Sequence, residues 1–243
     1  MPNEIWWLIF LTADFGMALT GIYFFGRKAL YVIIAADIII CNIQVIKTIE
    51  LFGMVATLGN ILYGSIFLAT DLLSEVFGKK EARRGVWLGF FALIFMTVSM
   101  QLALQFTPHP SDFSHEAMQT IFGFLPRITL ASLVAYLLSQ HHDVWAFHFW
   151  KERTGGRFLW LRNNLSTMVS QIIDSVIFVF LAFYGVFEMP VIWSILITTY
   201  AVKLLVALLD TPVIYLGRRV LQMHFRRFGE DLLLKNRERE NNI

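Results

Sequence analysis

The chain has little charge and almost no cysteine. Of its 243 residues, 16% are charged and 57% are hydrophobic, and its mean hydropathy is +0.61. Soluble domains average about 25% charged and about 45–50% apolar residues, so this chain lacks the polar surface that a water-exposed fold needs. One cysteine, Cys41, excludes an internal disulfide. A formal charge of +2 is too small to indicate a nucleic-acid partner.

The motifs of common enzyme classes are also missing. The sequence contains no P-loop, no GxSxG and no HExxH. It therefore predicts no catalytic residues, no cofactor and no metal site. A histidine-rich segment, HHDVWAFHFWKE, holds His141, His142 and His148. Its mixture of Trp, Phe, His and Lys favours an amphipathic helix at a membrane interface over a metal site.

Long apolar runs are abundant. A helix needs about 20 mostly apolar residues to cross a bilayer, and lipid-exposed backbone must satisfy its own hydrogen bonds. We therefore predict an all-α integral membrane protein, a bundle of seven transmembrane helices. These would form a single domain over residues 1–217, followed by a polar cytoplasmic tail at 218–243. The predicted spans lie at about 5–25, 29–46, 54–77, 85–106, 120–139, 165–187 and 191–217.

The basic residues predict the orientation. With these spans, 17 of the 20 Lys and Arg residues fall in odd-numbered connections or in the tail. Lys47 alone falls in an even-numbered connection. Because cytoplasmic segments carry the excess of Lys and Arg, the N-terminus is expected outside and the C-terminus in the cytoplasm. The remaining two, Arg127 and Lys203, lie within predicted spans.

Several polar residues lie where the chain should meet lipid. Each charged one costs a few kcal/mol at mid-bilayer, so such residues usually face a bundle interior and mark a pathway or ligand site. At 100° per residue they form stripes on three predicted helices, which suggests a common polar cavity. The stripes are Thr57, Asn60, Gly64, Asp71 and Glu75 on the third helix, Asn164, Gln171, Asp174 and Ser175 on the sixth, and Thr199, Lys203 and Asp210 on the seventh.

Structural roles are the alternative for some of these residues. Glu75 could reach interfacial water or pair with Lys79 one turn later, and Asp210 could pair with Lys203 or lie at the interface. For Asp14 and Asp37, internal pairing is at least as good an explanation as ligand contact. Asp174 and Lys203 are the hardest to explain structurally. We expect a carboxylate to offset the charge of Lys203, the candidates being Asp174, Asp71, Asp37 and Asp210.

Three segments together resemble a known family. They are FLATDLLSEVFGKKEARRGVW, RNNLSTMVSQIIDSVIFVFLAF and TTYAVKLLVALLDTP, which occur in this order. With them, the chain resembles the queuosine precursor transporters of bacteria, also called the vitamin uptake transporter family. The resemblance covers roughly residues 30–217. It implies a six-helix core, so the first span, 5–25, is an addition and no role is carried onto Asp14.

The resemblance implies import of 7-deazaguanine bases, the precursors of tRNA queuosine, across the bacterial inner membrane. It also implies a fold similar to the substrate-binding subunits of energy-coupling-factor transporters, and it leaves both an ATPase partner and a homo-oligomer open. Some relatives have Asn in place of Gln171. By matching position, the implied polar site residues are Asp71, Glu75, Arg127, Gln171, Asp174 and Lys203, and Asn164 shares their helix face.

The chemistry of these residues suits such a base. A carboxylate can accept two neighbouring N–H donors, while an amide, Arg or Lys donates to a carbonyl. A transporter of another small heterocycle or vitamin remains an alternative. A membrane-embedded lipid enzyme would need a catalytic group, for which His141, His142 and His148 are the only candidates. A membrane scaffold, in which the charges merely pair, is the third class.

Overall fold

The architecture comes from a computed structural model. It describes residues 1–153 and 159–228, without the side chains at 140, 143–144, 147–148, 150–153, 159–167 and 207–212. The described chain is dominated by helices. The α-helices are α1 Asn3–Phe25, α2 Arg27–Gln44, α3 Tyr63–Leu72, α4 Lys79–Ala103, α5 His115–Phe122, α6 Leu125–Arg153, α7 Leu159–Phe183 and α8 Met189–Phe228.

Four helical segments of the described chain are long and apolar enough to cross a membrane. They are Asn3–Phe25, Lys79–Ala103, His115–Ser139 and Met189–Val206. Of the other helices, α2 carries three charges in 18 residues and α3 has 10 residues, and within the described side chains of α7 an apolar stretch covers Met168–Phe183. The chain is thus an all-α, multi-pass membrane protein in its main architecture, and the count of seven spans stays a prediction.

The third predicted span, 54–77, is wrong as a single helix. Two short strands, β1 Thr48–Leu51 and β2 Met54–Thr57, form an antiparallel hairpin before it. Its two-residue turn, Phe52-Gly53, has positive φ angles of 51° and 75°, as a type I′ turn requires. A 3₁₀ helix, Leu58–Leu62, then leads into α3, and a π-helical turn, Leu73–Phe77, ends it.

Two more boundaries differ from the prediction. The fifth predicted span, 120–139, is divided at Gly123 between α5 and α6, and the side-chain amide of Gln101 donates to the carbonyl of Phe122 at 2.6 Å. The seventh, 191–217, continues as α8 to Phe228, so part of the predicted tail is helical.

The chain divides into two compact units. Unit 1 comprises Met1–Cys41, Gly59–Leu93 and Leu204–Ile243, and unit 2 comprises Asn42–Leu58 and Ile94–Lys203. A single domain over 1–217 stays a prediction.

In unit 1, glycines allow helices to pack closely. A Cβ atom on Gly89 of α4 would lie 2.4 Å from the Cδ1 atom of Ile38 in α2, and one on Gly64 of α3 would lie 2.8 Å from the ring of Phe15 in α1. Such contacts are characteristic of helices that associate in membranes, where small residues let the backbones approach.

The core of unit 2 is built on α6, α7 and the first part of α8. Because α6 presents Ala131 and Ala135 to this core, the larger side chains of the neighbouring helices fill the space between them. The core comprises Val45, Ile128, Ala131, Ala135, Phe178, Val179, Ala182, Phe183, Ile192, Ile195 and Leu196. This packing fixes the register of the helices that carry Asp174 and Lys203.

Candidate functional site

The candidate site in unit 2 is built around an ion pair between Asp174 of α7 and Lys203 of α8. The ammonium group of Lys203 donates to the Oδ2 atom of Asp174 at 2.5 Å. The side chain of Lys203 is 3% exposed and that of Asp174 is 19% exposed. A buried cation is tolerated when a carboxylate compensates for its lost hydration. Of the four acids predicted as partners, the structure places Asp174 against Lys203.

The two oxygens of Asp174 have different surroundings. Oδ2 accepts from Lys203, whereas Oδ1 lies 3.4 Å from the hydroxyl of Ser139 in α6, a long and weak contact. Gln171 lies one turn earlier on the same helix, is partly buried, and makes no hydrogen bond with any described residue. Among the described residues, this corner thus has a carboxylate oxygen that is only weakly bonded and an amide with no hydrogen-bond partner.

A polar stripe on α6 was not predicted from the sequence. Thr129, Ser132, Tyr136 and Ser139 recur every three or four residues and so share one helix face. The hydroxyl of Ser132 donates to the side-chain oxygen of Asn42 at 2.6 Å, and the hydroxyls of Thr129 and Thr97 lie 2.8 Å apart. Hydroxyls barely change hydropathy, so only their helical spacing could have revealed this stripe.

Arg127, a predicted site residue, lies in α6 and bonds to backbone carbonyls at the end of α7. Its Nε–H donates to the carbonyl of Leu181 at 2.8 Å, and its Nη2 donates to the carbonyl of Tyr184. The last carbonyls of a helix have no intrahelical partners, and a guanidinium satisfies them while opposing the negative end of the helix dipole. Arg127 therefore caps the C-terminal end of α7, the helix that carries Asp174.

Asp71 and Glu75 lie in unit 1 and are both exposed. Glu75 lies in the π-helical turn after α3 and accepts from Arg218 of α8 at 2.5 Å, with the two side chains 47% and 44% exposed. The partner that the structure gives Glu75 is therefore Arg218, where the sequence suggested Lys79. A single polar cavity shared by all three predicted stripes stays a prediction.

The predicted stripe on the third helix is interrupted. Thr57 ends strand β2 and Asn60 lies in the 3₁₀ helix, so neither has the α-helical spacing that the prediction assumed. Only Gly64 and Asp71 belong to α3. The apolar sequence concealed the change from strand to helix.

Asp14 and Asp37 meet through a residue that the sequence did not single out. The hydroxyl oxygen of Ser65 in α3 lies 2.5 Å from the Oδ2 atom of Asp14 and 2.8 Å from that of Asp37. All three side chains are buried. Serine is common in apolar helices, so its place between two acids depends on the packing of three helices and leaves no sequence signal.

Some predicted residues lie outside the described part of the chain. The side chains of Asn164, Asp210 and His148 are among them. Of the other histidines in that segment, His141 contacts the carbonyl of Leu137 in α6 at 3.0 Å, and His142 contacts the hydroxyl of Ser170 in α7 at 3.0 Å. Among the described residues, no group of three potential metal ligands is brought together.

Comparison with known proteins identifies the relatives. A protein of Bacillus subtilis (strain 168), named "Probable queuosine precursor transporter", is 44% identical over 91% of this chain and 97% of its own length. The "Queuosine precursor transporter" of Escherichia coli (strain K12) is 29% identical over 59% of this chain and 62% of its own. No solved structure matches this chain.

A family model covers the segment that carries the candidate residues. The model described as "Putative vitamin uptake transporter" matches residues 57–217, from the end of β2 to the middle of α8. Asp71, Arg127, Gln171, Asp174 and Lys203 all lie within it. Because the match covers most of the chain and the Bacillus relative aligns over nearly its whole length, this chain belongs to the vitamin uptake transporter family.

Proposed function

We propose that this chain is a transporter of the bacterial inner membrane that imports queuosine precursors, 7-deazaguanine bases, for tRNA queuosine salvage. Its relatives in Bacillus subtilis and Escherichia coli are named for queuosine precursors. We further propose seven spans, with the N-terminus outside and the C-terminus in the cytoplasm, and a transport role without enzymatic activity.

The observation that carries the site proposal is the partly exposed Asp174 against the buried Lys203. The empty site is close to neutral because the two charges compensate each other. A deazaguanine edge offers an N–H and an amino group side by side, which a carboxylate accepts in bidentate fashion. Asp174 would accept from both, and Lys203 would remain paired with the carboxylate.

Gln171 completes the recognition of the base in this proposal. It lies one turn from Asp174, so both side chains project from the same face of α7. Its amide N–H can donate to the carbonyl that neighbours the two donors of the base, and this hydrogen bond would distinguish a deazaguanine from a heterocycle without that carbonyl.

In this proposal, Arg127 positions α7 and does not contact the base. Because it bonds to carbonyls at the end of α7, it would fix the helix that carries Gln171 and Asp174 and leave the base to them. Asp71, Glu75 and Asn164 remain proposed polar residues of the transport passage, with less direct support. Glu75 already has a partner in Arg218.

The test is uptake of a labelled 7-deazaguanine base by purified protein in liposomes. Wild type should accumulate the base, and unlabelled 7-deazaguanine should compete better than riboflavin, which represents the alternative of vitamin transport. Gln171→Leu should raise KM about tenfold, the equivalent of one lost hydrogen bond. Gln171→Asn keeps the amide and is the matched control.

Because Gln171 makes no hydrogen bond with described residues, its variants should fold as wild type does. Unfolding temperatures in detergent check this. Equal KM values for wild type and Gln171→Leu would contradict the proposed recognition. If riboflavin competes and unlabelled 7-deazaguanine does not, the transported substrate is a vitamin and not a deazaguanine base.

A further inference from the structure

The second buried polar group, Asp14, Ser65 and Asp37, lies within unit 1 and has no part in the proposed recognition of the base. These residues come from α1, α3 and α2, and they are 4%, 0% and 8% exposed. The two carboxyls approach the same hydroxyl oxygen, at 2.5 Å and 2.8 Å. The carbonyl of Leu62 is also near that oxygen, at 3.4 Å.

The hydrogens of this group can be counted. A serine hydroxyl has one hydrogen to donate and two lone pairs with which to accept. It can therefore donate to one carboxylate only. The second carboxyl oxygen lies at hydrogen-bond distance from the same hydroxyl oxygen, so a hydrogen must lie between them, and only a protonated carboxyl can supply it. Two ionised carboxylates around one hydroxyl would leave one contact repulsive.

The described surroundings of the two acids are apolar and contain no cation that pairs with them. Among the described residues, no Lys, Arg or His forms an ion pair with either acid. Next to Ser65, Gly64 packs on Phe15 of α1 and Val206 of α8, both apolar. The charge that acts on Asp37 from another element is that of Asp14 itself.

Several other titratable groups of unit 1 contact partners outside this group. Glu75 pairs with Arg218, Tyr31 of α2 donates to Glu81 of α4, and His224 of α8 contacts the backbone of Tyr23. Asp71, two turns beyond Ser65 on α3, is exposed. A bare pair of carboxylates would thus be buried without compensation, which costs several kcal/mol.

We propose that Asp14, Ser65 and Asp37 form a proton-binding site, in which one proton is held between the two carboxyls through the serine hydroxyl. Resting on the proposed function, we extend this to transport: the site releases and rebinds its proton in each import cycle, so that a proton gradient drives accumulation of the base. A carboxyl pair that can exist with or without one bound proton is the chemistry that such coupling needs.

The first experiment measures the proton and requires no substrate. Infrared spectra of wild type at pH 7 should contain the C=O stretch of a buried protonated carboxyl. This band should disappear in Asp14→Asn and in Asp37→Asn, because an amide N–H then donates to the hydroxyl or to the remaining carboxylate. Glu116→Gln, in exposed α5, is the matched control and should keep the band. A wild-type spectrum without a band that these two variants remove would overturn the proton site.

Ser65→Ala tests the bridge separately. Without the hydroxyl, the two carboxyls lose the atom that joins them, so the band should shift in frequency while the circular dichroism spectrum stays helical. An unchanged band in Ser65→Ala would show that the proton lies elsewhere.

The second experiment separates coupling from transport. In liposomes with an imposed inward proton gradient, wild type should concentrate the labelled 7-deazaguanine. Asp14→Asn should exchange the base across the membrane but no longer concentrate it. Gradient-independent accumulation by wild type would overturn the coupling. Absence of any exchange by wild type would instead overturn the proposed function, whereas the infrared result would still decide the proton site.

Discussion

At the scale of single residues, Lys203 shows how an apolar helix accommodates a charge. Its ammonium group is almost fully buried and bonds to a carboxylate that keeps partial access to solvent. Removing one member of a buried pair leaves the other uncompensated, at a cost of about 3–5 kcal/mol, whereas removing both can be nearly neutral. The pair should therefore behave as one energetic unit.

We predict that Lys203→Met lowers the unfolding temperature in detergent strongly, and that adding Asp174→Asn restores most of the loss. A double-mutant cycle on thermal unfolding measures this coupling. Asp71→Asn, an exposed acid of α3, is the control and should give no rescue. If it rescues as well as Asp174→Asn, the loss is a general charge effect and the pairing is wrong. Uptake should stay low in the double variant because the base has lost its carboxylate.

At the scale of elements, the hairpin shows how exposed strand edges are satisfied in a membrane protein. The backbone N–H of Val55 in β2 donates to the hydroxyl of Ser194 in α8 at 2.9 Å. The carbonyl of Val55 accepts from Thr198 of the same helix at 3.0 Å. Two hydroxyls one turn apart on α8 thus replace the strand that would otherwise continue the sheet. This contact fixes the hairpin to α8 within unit 2.

We predict that Ser194→Ala destabilises the protein by about 1–3 kcal/mol, since it leaves the amide of Val55 without its acceptor. Ser194→Thr keeps the hydroxyl and should have a much smaller effect. Thermal unfolding in detergent measures the loss of stability. Hydrogen exchange at the Val55 amide shows where the loss arises, because the freed amide should exchange faster. Equal exchange in Ser194→Ala and Ser194→Thr would contradict the anchoring role.

The elements also show what the sequence could reveal. Charged residues in apolar runs are rare, so Asp174 and Lys203 were found from the pattern, and the helical period placed Gln171 beside Asp174. The hairpin was missed because strand and helix residues are equally apolar there, and because Phe-Gly is not one of the Asn-Gly or Asp-Gly pairs that signal a type I′ turn. Ser65 could not be found, since a neutral hydroxyl gains its role only from the acids of two other helices.

At the scale of the whole molecule, the distribution of basic residues predicts how the chain sits in the bilayer. The start of α4 carries Lys79, Lys80, Arg83 and Arg84, whereas the segment from α4 to α5 carries no Lys or Arg. Under the positive-inside rule, the first is cytoplasmic and the second external. Both are exposed in the structure, and Phe113 in the second is 98% exposed. They are suited to chemical labelling.

We predict that a cysteine replacing Phe113 reacts with a membrane-impermeant thiol reagent in intact cells, whereas one replacing Lys80 reacts only after permeabilisation. The background needs little change, because the natural Cys41 is buried and should react slowly. Wild type provides that baseline. Because α4 joins the two positions, opposite labelling would also show that this helix crosses the bilayer. Labelling of both positions from outside would mean that α4 does not span, and the reverse pattern would invert the orientation, so that the predicted cytoplasmic end of every helix would face the exterior.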